Sequence, residues 1–130
     1  MDTNEPLRRR LRSSDGPVDF QIDVRREGAE VILALSGELD IASAPLFRTE
    51  LFRVLDEGVY ERVLVDLDDV DMLDSTGLGV LVAGVKRARP DGARIELLCS
   101  KPRTIRIFRA LRFDRVFAIH ADLSETRIRA

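Results

Sequence analysis

The residues of this chain best placed for chemistry are Asp74-Ser75-Thr76, a hydroxyl pair led by a carboxylate and set between two apolar runs of different period. The run before them, Val63-Leu64-Val65, is continuous and rich in β-branched residues, the mark of a buried strand. Asp66, Asp68, Asp69 and Asp71 follow in what reads as an irregular acidic segment. The run after them places Leu78, Leu81, Val82 and Val85 at i, i+3, i+4 and i+7, one side of a helix. Strand, loop and helix start thus put the Ser75 hydroxyl at the positive end of a helix dipole. Backbone N–H groups there lack internal partners and can receive an anion. That chemistry suits a phosphoserine; the competing reading makes Asp74 or Ser75 simply an N-cap.

A second carboxylate comes earlier. Ser36-Gly37-Glu38-Leu39-Asp40 ends an apolar strand, and Asp40 emerges in the loop, where it either faces a partner or hydrogen-bonds local backbone. Other chemistry finds little support. The single cysteine, Cys99, closes the apolar run Ile95-Glu96-Leu97-Leu98, which argues for a buried thiol and excludes an intrachain disulfide or a multi-cysteine metal site. His120 is the only histidine, and no G-x-S-x-G accompanies it. A P-loop motif is absent, and no cofactor is expected.

The elements that must position these residues fit in one domain. The 130 residues allow a modest single core, and 45% hydrophobic with 34% charged residues describes a globular chain. A net charge of −2 gives no general drive towards nucleic acid. No apolar run approaches the length that spans a membrane, and the N-terminal residues lack a signal-peptide core, so a cytoplasmic protein is expected. Residues 1–17, with Arg8-Arg9-Arg10-Leu11-Arg12, read as a flexible polar and basic arm, and 18–130 as the folded domain.

Within that domain Phe20, Ile22 and Val24 alternate with polar residues as a half-buried strand. Glu27-Gly28-Ala29 makes a turn, and Val31-Ile32-Leu33-Ala34-Leu35 reads as a central strand. Ser43-Ala44-Pro45 starts a helix with Phe47, Leu51, Val54 and Leu55 on its core side, and Gly58 stops it. The strand at 63–67 and the helix from 75 come next, then a strand at 94–99. A helix from Pro102 follows, with the buried stripe Ile105, Phe108 and Leu111. Val116 to Ile119 reads as an edge strand, and Asp122-Leu123-Ser124-Glu125 has capping-box spacing for a last helix. The order β-β-α-β-α-β-α-β-α predicts an α/β fold: one small domain, a mixed sheet covered by helices, with right-handed crossovers. Loops at Asp40 and Asp74 then gather on one rim of the sheet.

The helix after Ser75 carries a further signal. Opposite Leu78 stand Thr76, Val80, Ala83, Gly84 and Arg87, a small and partly apolar set where charged residues are the rule. Two readings fit: a face flat enough for another protein to dock, or one covered by another element of this chain.

Ser36-Gly37-Glu38-Leu39-Asp40 together with Asp74-Ser75-Thr76-Gly77-Leu78-Gly79-Val80 resembles the STAS-domain anti-sigma factor antagonists of bacteria. The resemblance covers about residues 18–120 and includes the element order. It implies a phosphorylation-switched binding module. Ser75 is then phosphorylated by an anti-sigma factor that is also a GHKL-type serine kinase, and a PP2C-type phosphatase removes the phosphate. The unphosphorylated protein binds the anti-sigma factor and frees a sigma factor for transcription. Asp40 matches the family's motif aspartate, and Asp40, Asp74, Thr76, Gly77, Val80 and Ala83 are the residues expected on the partner surface, with no nucleic acid, membrane or metal bound directly.

Rival readings are a STAS scaffold in a stressosome-like or transporter-associated assembly, and a small phosphatase. Asp71-Met72-Leu73-Asp74-Ser75-Thr76 is similar to the D-x-D-[ST] of haloacid-dehalogenase-type phosphatases. Its two aspartates, however, stand too far apart in the chain to project together as a nucleophile pair.

Overall fold

The computed structural model describes residues 7–12 and 20–122. Strand β1 (Leu7–Arg12) runs antiparallel to β2 (Phe20–Glu27), Leu7 opposite Arg26 and Arg12 opposite Gln21. Within the stretch 1–17, expected to be a flexible arm, residues 7–12 form this strand, and the remainder lies outside the described residues. Backbone pairing needs no apolar side chains, and a short, arginine-rich strand is the kind an exposed sheet edge tolerates. β2 buries Phe20, Ile22 and Val24, as its alternation predicts. A two-residue turn, with Gly28 at φ +62°, then leads antiparallel into β3 (Glu30–Leu39).

From there the chain alternates. Helix α1 spans Ala44–Asp56, strand β4 Arg62–Leu73, helix α2 Ser75–Ala88 and strand β5 Arg94–Leu98. Helix α3 (Pro102–Ala110) and strand β6 (Ala118–His120) complete the described chain. The six strands lie in sequence order, and β3, β4, β5 and β6 are mutually parallel. A mixed sheet whose parallel half is made of successive crossovers is the architecture expected, and crossovers of one hand place their helices on one face. The last predicted helix falls beyond residue 122, outside the described residues.

β4 is longer than the predicted 63–67. Asp68 to Leu73 continue it, because β3 also extends to Leu39 and offers its backbone groups for pairing through two register shifts. The pairing therefore absorbs an acidic stretch whose side chains alone suggest a loop.

The two faces of the sheet separate cleanly. Val31, Leu33 and Leu35 of β3 join Val63, Val65, Leu67 and the helices in the main core. On the opposite face Ile32, Leu64 and Leu98 form a small second cluster. Polar and charged side chains frame it: Arg62 bonds Glu30 and lies 3.1 Å from Glu96, which also neighbours His120 at 2.8 Å and Arg94 at 4.0 Å. The lone histidine thus belongs to a cross-strand hydrogen-bonded ladder. Cys99 is fully buried, and that burial pushes its thiol pKa up.

Helix α2 turns a different side inwards from the one its large residues suggest. Gly77, Val80, Leu81, Gly84 and Ala88 are buried, while Leu78, Val82, Ala83 and Val85 are half-buried. The core stripe is rotated by about 100°, one residue's advance around the axis. Helix α1 is the cause. It lies alongside α2, with Leu51 over Gly84 so closely that a Cβ there would sit 2.7 Å from Leu51 Cδ2. The small side is small so that α1 can approach, and Arg87 at its far end pairs with Asp56 of α1 at 2.8 Å. Of the two readings of that face, coverage by the chain itself is the one that holds for Val80 and Gly84.

In α3 Phe108 is buried and Ile105 half-buried, but Leu111 is 50% exposed. The helix stops at Ala110, and Arg112 adopts φ +60°, which swings the chain round so that Phe113 stacks on Phe108 at 5.9 Å.

Candidate functional site

β3 and β4 end together, Leu39 opposite Leu73, so the loops that follow leave the same edge of the sheet. The backbone N–H of Asp74 donates to the Leu39 carbonyl at 3.2 Å. That bond adds one rung to the ladder and brings Asp40 and Asp74 to the same rim, as the βα order predicts.

Asp74 is the N-cap of α2. It has extended backbone, and its Oδ1 accepts the N–H groups of Thr76 at 2.9 Å and Gly77 at 3.2 Å. A carboxylate at a helix start satisfies orphan donors and complements the dipole. Ser75 is consequently the first helical residue, not the cap, and both it and Thr76 are exposed. One expectation changes here. The amides of Thr76 and Gly77 do not stand open for an anion, because Asp74 already holds them.

Gly77 is buried, and this corrects its expected place on the partner surface. A Cβ at this position would lie 2.6 Å from Leu39 Cγ and 3.0 Å from Leu73 Cδ1. The glycine lets the first turn of α2 rest on the last residues of both strands. Val80, also assigned to that surface, is only 6% exposed and lies in the main core. Ala83 is half-buried.

Asp40 is tied into its own loop. Its Oδ1 accepts the N–H groups of Ala42 at 2.9 Å and Ser43 at 3.1 Å. The buried Ser43 hydroxyl donates to the Glu38 carbonyl at 2.6 Å and accepts the Asp40 N–H at 2.9 Å. The aspartate therefore shapes the turn into α1 while its remaining oxygen stays available. Among the described residues, neither Asp40 nor Asp74 makes an ion pair.

That turn presents a residue the sequence reading passed over. Ile41 is 76% exposed, the most exposed large apolar side chain among the described residues. Its signal was available: an isoleucine between Asp40 and Ala42, in a loop where nothing in the chain needs one. The rim thus combines an outward apolar side chain, a half-exposed carboxylate and the Ser75 and Thr76 hydroxyls. Such a surface suits contact with another macromolecule better than turnover of a small substrate. Among the described residues no cluster of three or more metal-ligating side chains forms, and no helix is long and apolar enough to cross a membrane.

Comparison with known proteins agrees with this architecture. The STAS domain family model matches residues 21–126. The anti-sigma-B factor antagonist of Bacillus subtilis is 33% identical over 91 residues, 70% of this chain and 82% of that protein. The anti-sigma-B factor antagonist of Listeria monocytogenes is 31% identical over 94 residues, 70% of this chain and 80% of that protein. Among solved structures, Thermotoga maritima TM1081 superposes with a TM-score of 0.70 at 29% identity, covering 79% of this chain and 88% of that one. The fold is shared as well with an anti-sigma factor antagonist from Mycobacterium paratuberculosis, TM-score 0.75 at 22% identity over 82% of this chain and 89% of that one. Motif, sheet order and sequence relatives converge: the chain belongs to the STAS domain family, among the anti-sigma factor antagonists.

Proposed function

We propose that this protein is a phosphorylation-switched antagonist. Unphosphorylated at Ser75, it binds an anti-sigma factor and so frees a sigma factor. Phosphorylated there, by an anti-sigma factor with GHKL-type serine kinase activity, it lets go, and a PP2C-type phosphatase resets it. The observation that carries this reading is the place of Ser75: exposed at the first position of α2, on the rim that also holds Asp40 and Ile41.

The energetics suit a switch that acts on the interface and spares the fold. A phosphoserine adds about −1.5 to −2 charges. The helix dipole favours each by roughly 0.3–1 kcal/mol. Asp74 opposes, and it keeps the Thr76 and Gly77 amides that would otherwise bind the phosphate. These effects offset one another, so the group stays in water and the fold is little changed. Burying an unpaired dianion in an interface costs several kcal/mol, which shifts an affinity by orders of magnitude. In this reading Asp40, Ile41, Asp74 and Thr76 form the contact surface, whereas Gly77 and Val80 act by packing beneath it.

Incubation with the cognate kinase and ATP tests the proposal. Intact mass is expected to show one added phosphate on the wild type and none on Ser75→Ala, and Ser75→Asp is expected to bind the anti-sigma factor far more weakly. Phosphate found mainly on Thr76 or Ser43 overturns the assignment.

A further inference from the structure

On the helix-covered side of the sheet, β4 and α3 enclose a groove of about 360 Å³. Leu67, Val70, Met72 and Leu73 line one wall, and Thr104 and Ile107 the other. Met72 and Ile107 at its lips are 44% and 37% exposed. Lys101 also lines it and donates from Nζ to the Val70 carbonyl at 2.8 Å. The groove ends at Leu73, two residues before Ser75.

Arg103 of α3 lines the groove, and the chain beyond it is rich in arginine. Arg103, Arg106 and Arg109 recur at every third position of the helix, and Arg112 and Arg115 continue the series. All five are exposed, and none makes an ion pair among the described residues. Several arginines elsewhere in the fold are paired: Arg26 meets Glu57, Arg62 meets Glu30 and Glu96, and Arg87 meets Asp56. Asp71 is the single carboxylate among the groove's lining residues. A protein of net charge −2 thus concentrates unneutralised positive charge beside an apolar cleft.

We infer that this groove is a docking site for an acidic, aliphatic segment of a partner protein, with aliphatic side chains in the cleft and carboxylates reaching Arg103 and the exposed arginines that follow it in the chain. Charge complementarity selects the acid, since guanidinium forks match carboxylates in bidentate geometry. The apolar walls select a peptide over duplex nucleic acid, whose phosphates need no such floor. Concavity selects it over a membrane, because a helix that enters lipid presents its apolar side outward, not at the bottom of a cleft. This site adjoins the Ser75 rim at Leu73 but does not include Ser75 and does not need phosphorylation to operate.

The test titrates the full chain, labelled with ¹⁵N, with a short peptide of alternating glutamate and leucine. Parallel titrations use the lysine–leucine counterpart, phosphatidylglycerol vesicles and a DNA duplex. Saturable shifts confined to residues lining β4 and α3 support the inference, as does a roughly tenfold loss of affinity in Arg103→Glu/Arg106→Glu with an unchanged melt. If that variant melts early, Arg103→Ala/Arg106→Ala is read in its place, with a smaller loss in the same direction expected. Equal binding of the lysine peptide, no saturable peptide binding, or binding of vesicles or DNA in preference to the acidic peptide overturns it. Because the Ser75→Ala protein is expected to bind the peptide like the wild type, failure of the switch and failure of the groove are distinguishable.

Discussion

Gly77 and Leu39 are in such close contact that a methyl group on the glycine would stand 2.6 Å from Leu39 Cγ. Leu39 is fully buried and its carbonyl already holds Asp74, so it has little freedom to withdraw. This contact seats the first turn of α2, and with it Ser75, on the ends of β3 and β4. Gly77→Ala is therefore expected to destabilise the protein although alanine is the better helix former. Overpacking costs about 1–3 kcal/mol against a propensity gain of about 1 kcal/mol or less. A denaturant melt that shows equal or greater stability would refute this account.

Val80 gives the second prediction. At 6% exposure in the main core, it has no route by which a longer charged side chain can reach water unstrained. Val80→Lys is expected to cost about 3 kcal/mol or more, through a buried unpaired ammonium and the displaced packing. Thr76→Lys, on the exposed start of the same helix, serves as control and is expected to melt near the wild type. Circular dichroism melts of the two variants decide the matter, and a well-folded Val80→Lys would return this residue to the surface.

These two residues also mark where the sequence was legible and where it was not. Alternation in β2, the Ser43-Ala44-Pro45 helix start and the Leu39-to-Leu73 rim were readable because each rests on local chemistry: a period of two, a proline at a first turn, a βα order. The inward side of α2 was not, because period analysis weights large apolar residues, whereas here the packing partner, Leu51 of α1, selects small ones. Likewise nothing local in Arg8-Arg9-Arg10 shows that β2 needs a neighbour. Nor does the acidic stretch after Asp66 show that β3 stays long enough to pair with it.

Asp66 allows a prediction about pH. Burial pushes its carboxyl above the usual range, and the charges of Asp68 and Asp69 add to this, while the Asp68 N–H donates to it at 3.0 Å and opposes. The native state thus holds this proton more tightly than the unfolded chain does. Ionised Asp66 destabilises the fold above its folded pKa, and the penalty disappears as pH falls below the unfolded value of about 3.9. Asp66→Asn, which keeps an acceptor for the Asp68 N–H, is expected to raise the thermal midpoint by a few degrees at about pH 7. That gain should shrink towards zero on acidification through the carboxylate range. A gain that does not vary with pH, or a loss at neutral pH, would show that burial of the charge is not what matters at this site.

The loop between β3 and α1 separates shape from contact, because Asp40 and Ile41 divide the two tasks between neighbouring residues. Asp40 accepts two backbone N–H groups of the turn before α1, so Asp40→Ala removes hydrogen bonds worth about 1 kcal/mol net and is expected to lower stability as well as binding. Asp40→Asn retains an oxygen acceptor and is expected to recover most of that stability, which exposes the contribution of the charge alone. Ile41 bears on binding without this complication. At 76% exposure its side chain contributes little to the fold, and Ile41→Ser is expected to melt within about 0.5 kcal/mol of the wild type. If the rim is the anti-sigma factor's docking surface, an apolar side chain held this far out is the anchor that fills a pocket on the partner. Its truncation should then weaken the complex by about 1.4 kcal/mol or more, tenfold in Kd. Calorimetric titration of the anti-sigma factor into Ile41→Ser and Asp40→Asn, each checked by its melt, measures the two contributions separately. Wild-type affinity in a folded Ile41→Ser protein would place the apolar anchor of the interface elsewhere on the molecule.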